Sequence, residues 1–508
     1  LRADPGIKKD GTQTQGNNWQ DGKWTRFYQG LPRSIPGYRS MTEAYPGPSR
    51  GLFVNLNGTG YLDIFSGSSD QLVVGQFTTA GFGSGVTDIT PAGFVASPNN
   101  VWQMDSFFNS NGGGETDLIA HAGQNLTDIS NDIPSTVYYG DITSAIPLIA
   151  ALDDSMNPFQ VSGGIAAIHP YVIAYGSNGL VAWSDINNPA LFPVANQANP
   201  TSEKIVKGMS IRGGGASPSA LLWSIDSVLQ MSFVGGDQVW NFQILSDQSS
   251  ILSSSAIVEM DGVYYWPGID RWLTFNGVLR ELPNEMNLDF FYSNLNFVQR
   301  QKVFGFKVPR WGEIWWCFPL GTATECNHAV IYNVRENTWY DTPLPSDGRS
   351  AAYFAQSWQY PIMFGATVFP DNDYQLWQHE FGVNEIQGTN VNAIESFIES
   401  PDISMIGGGI GSGIVIQPQD NSWTELVFFE PDFLMGPNLT IQTIGRQFSM
   451  DDDTVLDTEI IIQKPTNNFY ALQCQARYVR WRITSNIQDG YFVTGQPMFS
   501  FRPGDKTP

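Results

Sequence analysis

Short runs of aromatic and β-branched residues, each about four to eight long and each closed by Gly, Pro, Asn or Asp, recur along nearly the whole chain. Tyr61-Leu-Asp-Ile-Phe65, Tyr171-Val-Ile-Ala-Tyr175, Val263-Tyr-Tyr-Trp266 and Glu313-Ile-Trp-Trp-Cys-Phe318 are typical. Such residues fit a pleated, half-buried surface, and the flanking turn residues argue against short buried helices. The runs group into loosely similar modules near residues 50–91, 101–142, 149–193, 203–247, 253–282 and 299–345, with a partial seventh at 349–378. A spacing of about 40–47 residues is that of four-stranded propeller blades. One such sheet cannot bury both faces alone, whereas radial packing buries them and leaves only short edges. The expected fold is all-β: an irregular β-propeller of six or seven blades. A chain of β-sandwiches would also space its strands evenly.

Three further segments fill out this plan. After Pro283, residues 284–302 place Leu288, Phe291, Leu295 and Val298 on one helical face, with Asn284 and Glu285 suited to the start and Arg300 and Lys302 to the end. This predicts one short helix between blades. From residue 390 the texture changes to a run of strands expected to form a C-terminal β-sandwich. Within it, Arg477-Tyr-Val-Arg-Trp-Arg-Ile483 alternates, with Arg and Trp expected on one side and Tyr, Val and Ile on the other. The division expected is an N-terminal arm at 1–48 that closes the propeller, a propeller at 49–389 and a sandwich platform at 390–508.

Composition removes several function classes. Twenty-six Lys and Arg against 49 Asp and Glu give a net charge of −23 with only 15% charged residues and 13% aromatics. A disordered solvating chain has the opposite balance, and a protein that grips nucleic acid through phosphates needs a cationic face. No apolar run reaches the length of a membrane-spanning helix. Cys317, Cys326 and Cys474 cannot all pair within the chain, and their spacing fits no zinc pattern.

Motifs for chemistry are sparse. His121, His169, His328 and His379 lie too far apart in sequence for a helix-borne metal pair; His379, in Trp377-Gln-His-Glu380, is the one that could serve as a base. An acidic, aromatic-rich propeller could hydrolyse glycosides with paired carboxylates, for which Asp261, Asp270, Glu313 and Glu380 are candidates. Asp371-Asn-Asp373 and Asp451-Asp-Asp453 cluster oxygen ligands without the spacing of a calcium loop. The expectation is no catalytic residue, no metal and no cofactor.

At the amino end, Asp21-Gly-Lys-Trp-Thr-Arg-Phe-Tyr-Gln-Gly-Leu-Pro-Arg-Ser-Ile-Pro-Gly-Tyr38 carries a signature of Trp24, Arg26, Phe27, Gly30, Leu31, Pro32 and Gly37. It resembles the opening of the tail nozzle, or packaged-DNA stabilisation (tail hub), proteins of short-tailed bacteriophages. Two later stretches are similar to the same family: Asp261-Gly-Val-Tyr-Tyr-Trp266 onward to Pro319, and Ala393-Ile-Glu-Ser-Phe-Ile-Glu399 with Arg477–Asn486. Arg33 departs from it, standing where the family often has an acidic residue or Lys. The resemblance implies a structural virion protein, not an enzyme. It would form a hexameric ring at the distal end of the tail, in a virion assembled in the host bacterial cytoplasm. The ring would continue the DNA channel, retain the genome and open for ejection. Implied partners are a tail adaptor protein, fibre or spike proteins, and DNA passing without sequence recognition. Pliable glycine loops that could gate a bore are Gly112, Gly113 and Gly114, Gly213, Gly214 and Gly215, and Gly407, Gly408 and Gly409. The alternatives are a tail-borne carbohydrate-active propeller hydrolase and a non-catalytic receptor-binding module.

Overall fold

The computed structural model describes residues 3–504, apart from 13–15, 124–132, 212–216, 346–347, 368–373, 404–422, 458–459, 464–468 and the single positions 59, 79, 82, 113, 237, 357 and 449. The described chain is almost entirely β, built as many small sheets. Seven of them follow one another along the sequence, each an antiparallel meander of hydrogen-bonded neighbours. Their first strands are Leu52–Leu56, Val101–Asn109, Gly164–Ile168, Ile205–Ser210, Val258–Met260, Phe304–Val308 and Arg349–Tyr353.

Hydrophobic cores sit between consecutive sheets, because each sheet is apolar on both faces. Leu118 and Ala120 of the second sheet face Phe65 and Val74 of the first, while Ile119 faces Val172 and Ala174 of the third. Leu222 of the fourth sheet turns to Ile173 of the third, and its neighbours Leu221 and Trp223 turn to Tyr264 and Trp266 of the fifth. Strict alternation along one strand thus feeds two cores. The series closes on itself: Ile362 and Phe364 of the seventh sheet pack with Leu62 and Ile64 of the first. First strands 304–308 and 349–353 lie side by side, as do 349–353 and 52–56.

The seventh sheet is completed from the other end of the chain. Tyr38–Tyr45 pairs antiparallel with Tyr374–His379, burying Tyr38, Met41 and Tyr45. The residues just before it belong elsewhere. Asp21–Lys23 pairs with Ser396–Glu399, which pairs with Tyr478–Ser485. Thr25–Tyr28 and Leu31–Ser34 form a hairpin that joins Phe492–Thr494. A third C-terminal sheet has Thr424–Glu430 between Tyr470–Ala476 and Met498–Pro503. The three C-terminal sheets share one core with the sixth and seventh sheets, running from Trp481 and Ile483 through Trp24 and Phe27 to Trp315 and Trp377.

Three sequence expectations are corrected. Ile149–Ala150 is the last strand of the second sheet, paired with Tyr138 and Tyr139, so the third sheet spans 164–198 rather than starting at 149. The helix is Leu288–Asn294 alone. Leu295 turns extended and bridges to Leu320, leaving Val298 73% exposed in a following 3-10 turn rather than on an apolar face. No side chain of its own caps this helix; the carboxylate of Asp10 does, accepting from the Asp289 and Phe290 amides. Finally, Trp481 shares the core face with Val479 and Ile483, while Arg480 and Arg482 occupy the opposite face with Tyr478. Adjacent strand residues cannot share a side, and burial chose the indole over the guanidinium.

Removing residues 1–45 takes out three buried side chains of the closing strand, worth on the order of 6 kcal/mol at about 2 kcal/mol each, in addition to Trp24 and Phe27 of the shared core. That is much of a typical 5–15 kcal/mol stability. The truncated chain is expected to lose its cooperative thermal transition; an unchanged melting curve would refute the closing role of Tyr38–Tyr45.

Candidate functional site

The seven signature residues converge on the junction between the C-terminal sheets and the ring of meanders. Arg26 is wholly buried on the Thr25–Tyr28 strand. Its Nη1 donates to Glu380 Oε2 at 2.8 Å and its Nη2 to Glu313 Oε2 at 2.9 Å, while Nε lies 2.8 Å from Glu313 Oε1. The remaining carboxylate valences are filled by aromatic donors. Tyr340 Oη reaches Glu313 at 2.6 Å, Trp315 Nε1 reaches Glu313 at 2.9 Å, and Trp311 Nε1 reaches Glu380 at 2.7 Å. The guanidinium also lies 4.9 Å from the Trp311 ring. Burial by itself would lower the Arg26 pKa, but Glu313 and Glu380 outweigh it and hold the guanidinium above its ordinary range. Burial pushes the Glu313 carboxyl up, with Arg26 opposing.

The other signature residues shape this junction. The Trp24 amide donates to Thr342 Oγ1 at 2.7 Å and its indole to the Pro36 carbonyl at 3.1 Å. Phe27 packs edge-on against Tyr340, with Pro32 opposite it across the hairpin. Leu31 pairs with Tyr28, and the turn between them needs a left-handed Gly30 (φ 75°), whose amide donates to Glu336 at 2.9 Å. At Gly37 a Cβ would sit 2.2 Å from the Asn384 carbonyl oxygen, so only glycine fits. Arg33, the departure from the signature, stacks its guanidinium 4.7 Å from Trp311.

Two of the four sequence-predicted carboxylates therefore meet, but as ligands of one arginine. Glu313 is fully buried and Glu380 nearly so, and both carboxylates are bonded to the Arg26 guanidinium. Asp270 is exposed on a turn, and Asp261 sits on the left-handed corner of another. His379 is buried and accepts from Arg349 Nε at 3.2 Å; desolvation and that guanidinium hold its pKa well below the ordinary value, so it is a neutral acceptor. His328 bonds Asp341 Oδ2 at 2.8 Å. His121, enclosed beside the Ser135 and Val161 carbonyls, is pulled down to about 4 by burial. All three cysteines are buried and free. Gly112 and Gly114 lie in a tight hairpin turn held by Asn109, which is itself bonded to Asp117. Gly113, Gly213, Gly214, Gly215, Gly407, Gly408 and Gly409 lie outside the described residues, as does Asp371-Asn-Asp373. Asp453 pairs with Arg480, and Asp451 caps the Phe448 amide.

A feature without sequence signal lies where the first strands meet. Arg50, Gln103, Lys207, Ser255, Lys302 and Tyr353, on or just before the first strands of six different sheets, line one cavity of about 240 Å³. A second of about 450 Å³ continues it, sharing Met209, Ile257 and Gly305. Glu325 bridges Arg50 and Lys302, and Glu259 pairs with Lys307. Burial lowers the Lys207 pKa, with Asp105 opposing.

No family of sequences matches this chain, and no curated protein does. Among solved structures it is similar to the computationally designed Ika8 protein (11% identity, TM-score 0.37, 68% of this chain and 99% of that one). It is also similar to a putative 6-phosphogluconolactonase from Bacteroides uniformis ATCC 8492 (12% identity, TM-score 0.39, 61% and 91%). Both likenesses are too loose to bear on activity.

Replacing Arg26 by Met strands two buried carboxylates, an expected loss of about 3–5 kcal/mol in urea unfolding. Adding Glu313→Gln and Glu380→Gln to that variant should restore a substantial part. A second expectation follows from His121, whose folded pKa of about 4 lies below its unfolded value near 6.5. The unfolded chain takes up the proton first, so this group's contribution is intact above pH 6.5 and falls by up to about 1.4 kcal/mol per pH unit from there toward pH 4. In a His121→Gln variant the pH slope of unfolding over that window should shrink by about one proton.

Proposed function

We propose that the seven meanders are the blades of one closed propeller, that the three C-terminal sheets form a sandwich platform, and that the protein is a structural component of a short phage tail. In this reading it is the nozzle at the distal end: a hexameric ring that continues the DNA channel, retains the packaged genome and opens for ejection. An adaptor protein lies above it, and fibres or spikes dock beside it. The observation that carries the reading is how the signature residues are used. They are spent on a buried clamp that fuses platform and ring into one core, rather than on a solvent-facing constellation. A conduit needs that rigidity, because its geometry must survive while DNA is held behind it. A net charge of −23 per copy also disfavours adhesion of passing phosphates.

The carbohydrate-active alternative loses its best carboxylate pair to Arg26, which favours the passive reading. Electron microscopy of the purified protein is expected to show a six-fold ring with an open bore. Particles assembled without this chain should fill with DNA and then lose it. A monomer that releases reducing sugar from a host polysaccharide would overturn the proposal.

A further inference from the structure

An asparagine followed by glycine can lose its side-chain amide to its own backbone. The next amide nitrogen attacks the carboxamide carbon, and glycine places no Cβ in the way. The chain has four such pairs: Asn57-Gly58, Asn111-Gly112, Asn178-Gly179 and Asn276-Gly277. The attack needs a carboxamide free to turn, an amide nitrogen not engaged as a donor, and a backbone free to rotate between them.

Three of the pairs lack one of these freedoms. The Asn57 carboxamide is held at both ends: Nδ2 donates to the two Asp63 oxygens at 3.2 and 3.1 Å, and Oδ1 accepts the Tyr61 amide at 3.0 Å. Beside Asn111 the attacking nitrogen is occupied, because the Gly112 amide donates to Asn109 Oδ1 at 2.8 Å. Asn178 lies inside the turn Ser177–Gly179, where its carbonyl accepts from Asn199 Nδ2 at 2.8 Å. Gly179 is buried so closely against the Thr201 carbonyl that not even a Cβ has room. Asn276 keeps all three freedoms. With Gly277 and Val278 it forms the exposed loop of the hairpin that joins Trp272–Phe275 to Leu279–Glu281. Among the described residues nothing bonds to the Asn276 carboxamide or to the Gly277 amide; the loop's own hydrogen bond runs from the Asn276 amide to the Val278 carbonyl at 3.4 Å. Gly277 has φ 100°, and nothing lies within 4 Å of where its Cβ would be.

We propose that Asn276 is a site of spontaneous deamidation and isoaspartate formation in the folded protein, with water as the co-reactant. The Gly277 nitrogen gives up its proton and bonds to Asn276 Cγ. The Cγ–Nδ2 bond breaks, and ammonia leaves with that proton. Water then opens the cyclic imide at either carbonyl, giving aspartate or isoaspartate with no change of oxidation state. Both products put a new negative charge on the loop. Isoaspartate also inserts a methylene into the main chain next to the Phe275–Leu279 pair that closes the hairpin. The inference is independent of the tail reading.

The full-length protein is incubated in heavy-oxygen water at mildly alkaline pH, folded in one sample and unfolded in concentrated urea in another. Peptide mass spectrometry with electron-transfer fragmentation reads the label and the linkage at each of the four asparagines. The urea sample gives each pair's rate without the fold, so the ratio of folded to unfolded rate isolates what the structure does. That ratio is expected to be at least about tenfold higher at Asn276 than at Asn57, Asn111 or Asn178. A smaller gap to any one of them, or no labelled product at Asn276 in the folded protein, would overturn the proposal.

Discussion

One buried guanidinium governs how the two halves of this protein meet. Arg26 sits between Glu313 of the sixth meander and Glu380 just after the seventh, yet rides on a hairpin that belongs to the C-terminal sheets. Two carboxylates cannot be buried around one cation without further donors, and Tyr340, Trp315 and Trp311 supply them. Buried ion clusters are weak sources of stability but strong sources of geometry, because any slip leaves a bare charge. Trp24 and Glu380 hold left-handed backbone beside the cluster, strain that such over-determined surroundings tolerate. The result is a joint with one permitted register.

Much of the ring was legible in the sequence, because turn residues punctuate it at a regular period and each strand advertises its pleat. Its limits were equally physical. Periodicity marks that Ile149 begins a strand but not which neighbour it hydrogen-bonds, and it belongs to the preceding sheet. The helical face through Val298 was ended by an extended Leu295, a tertiary choice made by its bridge to Leu320. The signature around Arg26 was visible as a pattern, but its partners lie 287 and 354 residues away and nothing local announces them. Lys207 had no signal at all, since an isolated Lys in a strand looks solvated until segments from five other sheets close around it.

Charge is distributed against the composition. Against a net charge of −23 for the whole chain, Arg50, Lys207 and Lys302 gather at one cavity, with Glu325 bridging two of them. Sequence totals average such local gatherings away.

Closure by Tyr38–Tyr45 sets an order of events on the ribosome. The strand that seals the ring is synthesised well before its partner Tyr374–His379, which emerges only after more than three hundred further residues. Until then the nascent chain is an open stack with two raw edges, each able to recruit a strand from a neighbouring polypeptide. Such late, long-range pairing makes folding slow and dilution-dependent in vitro.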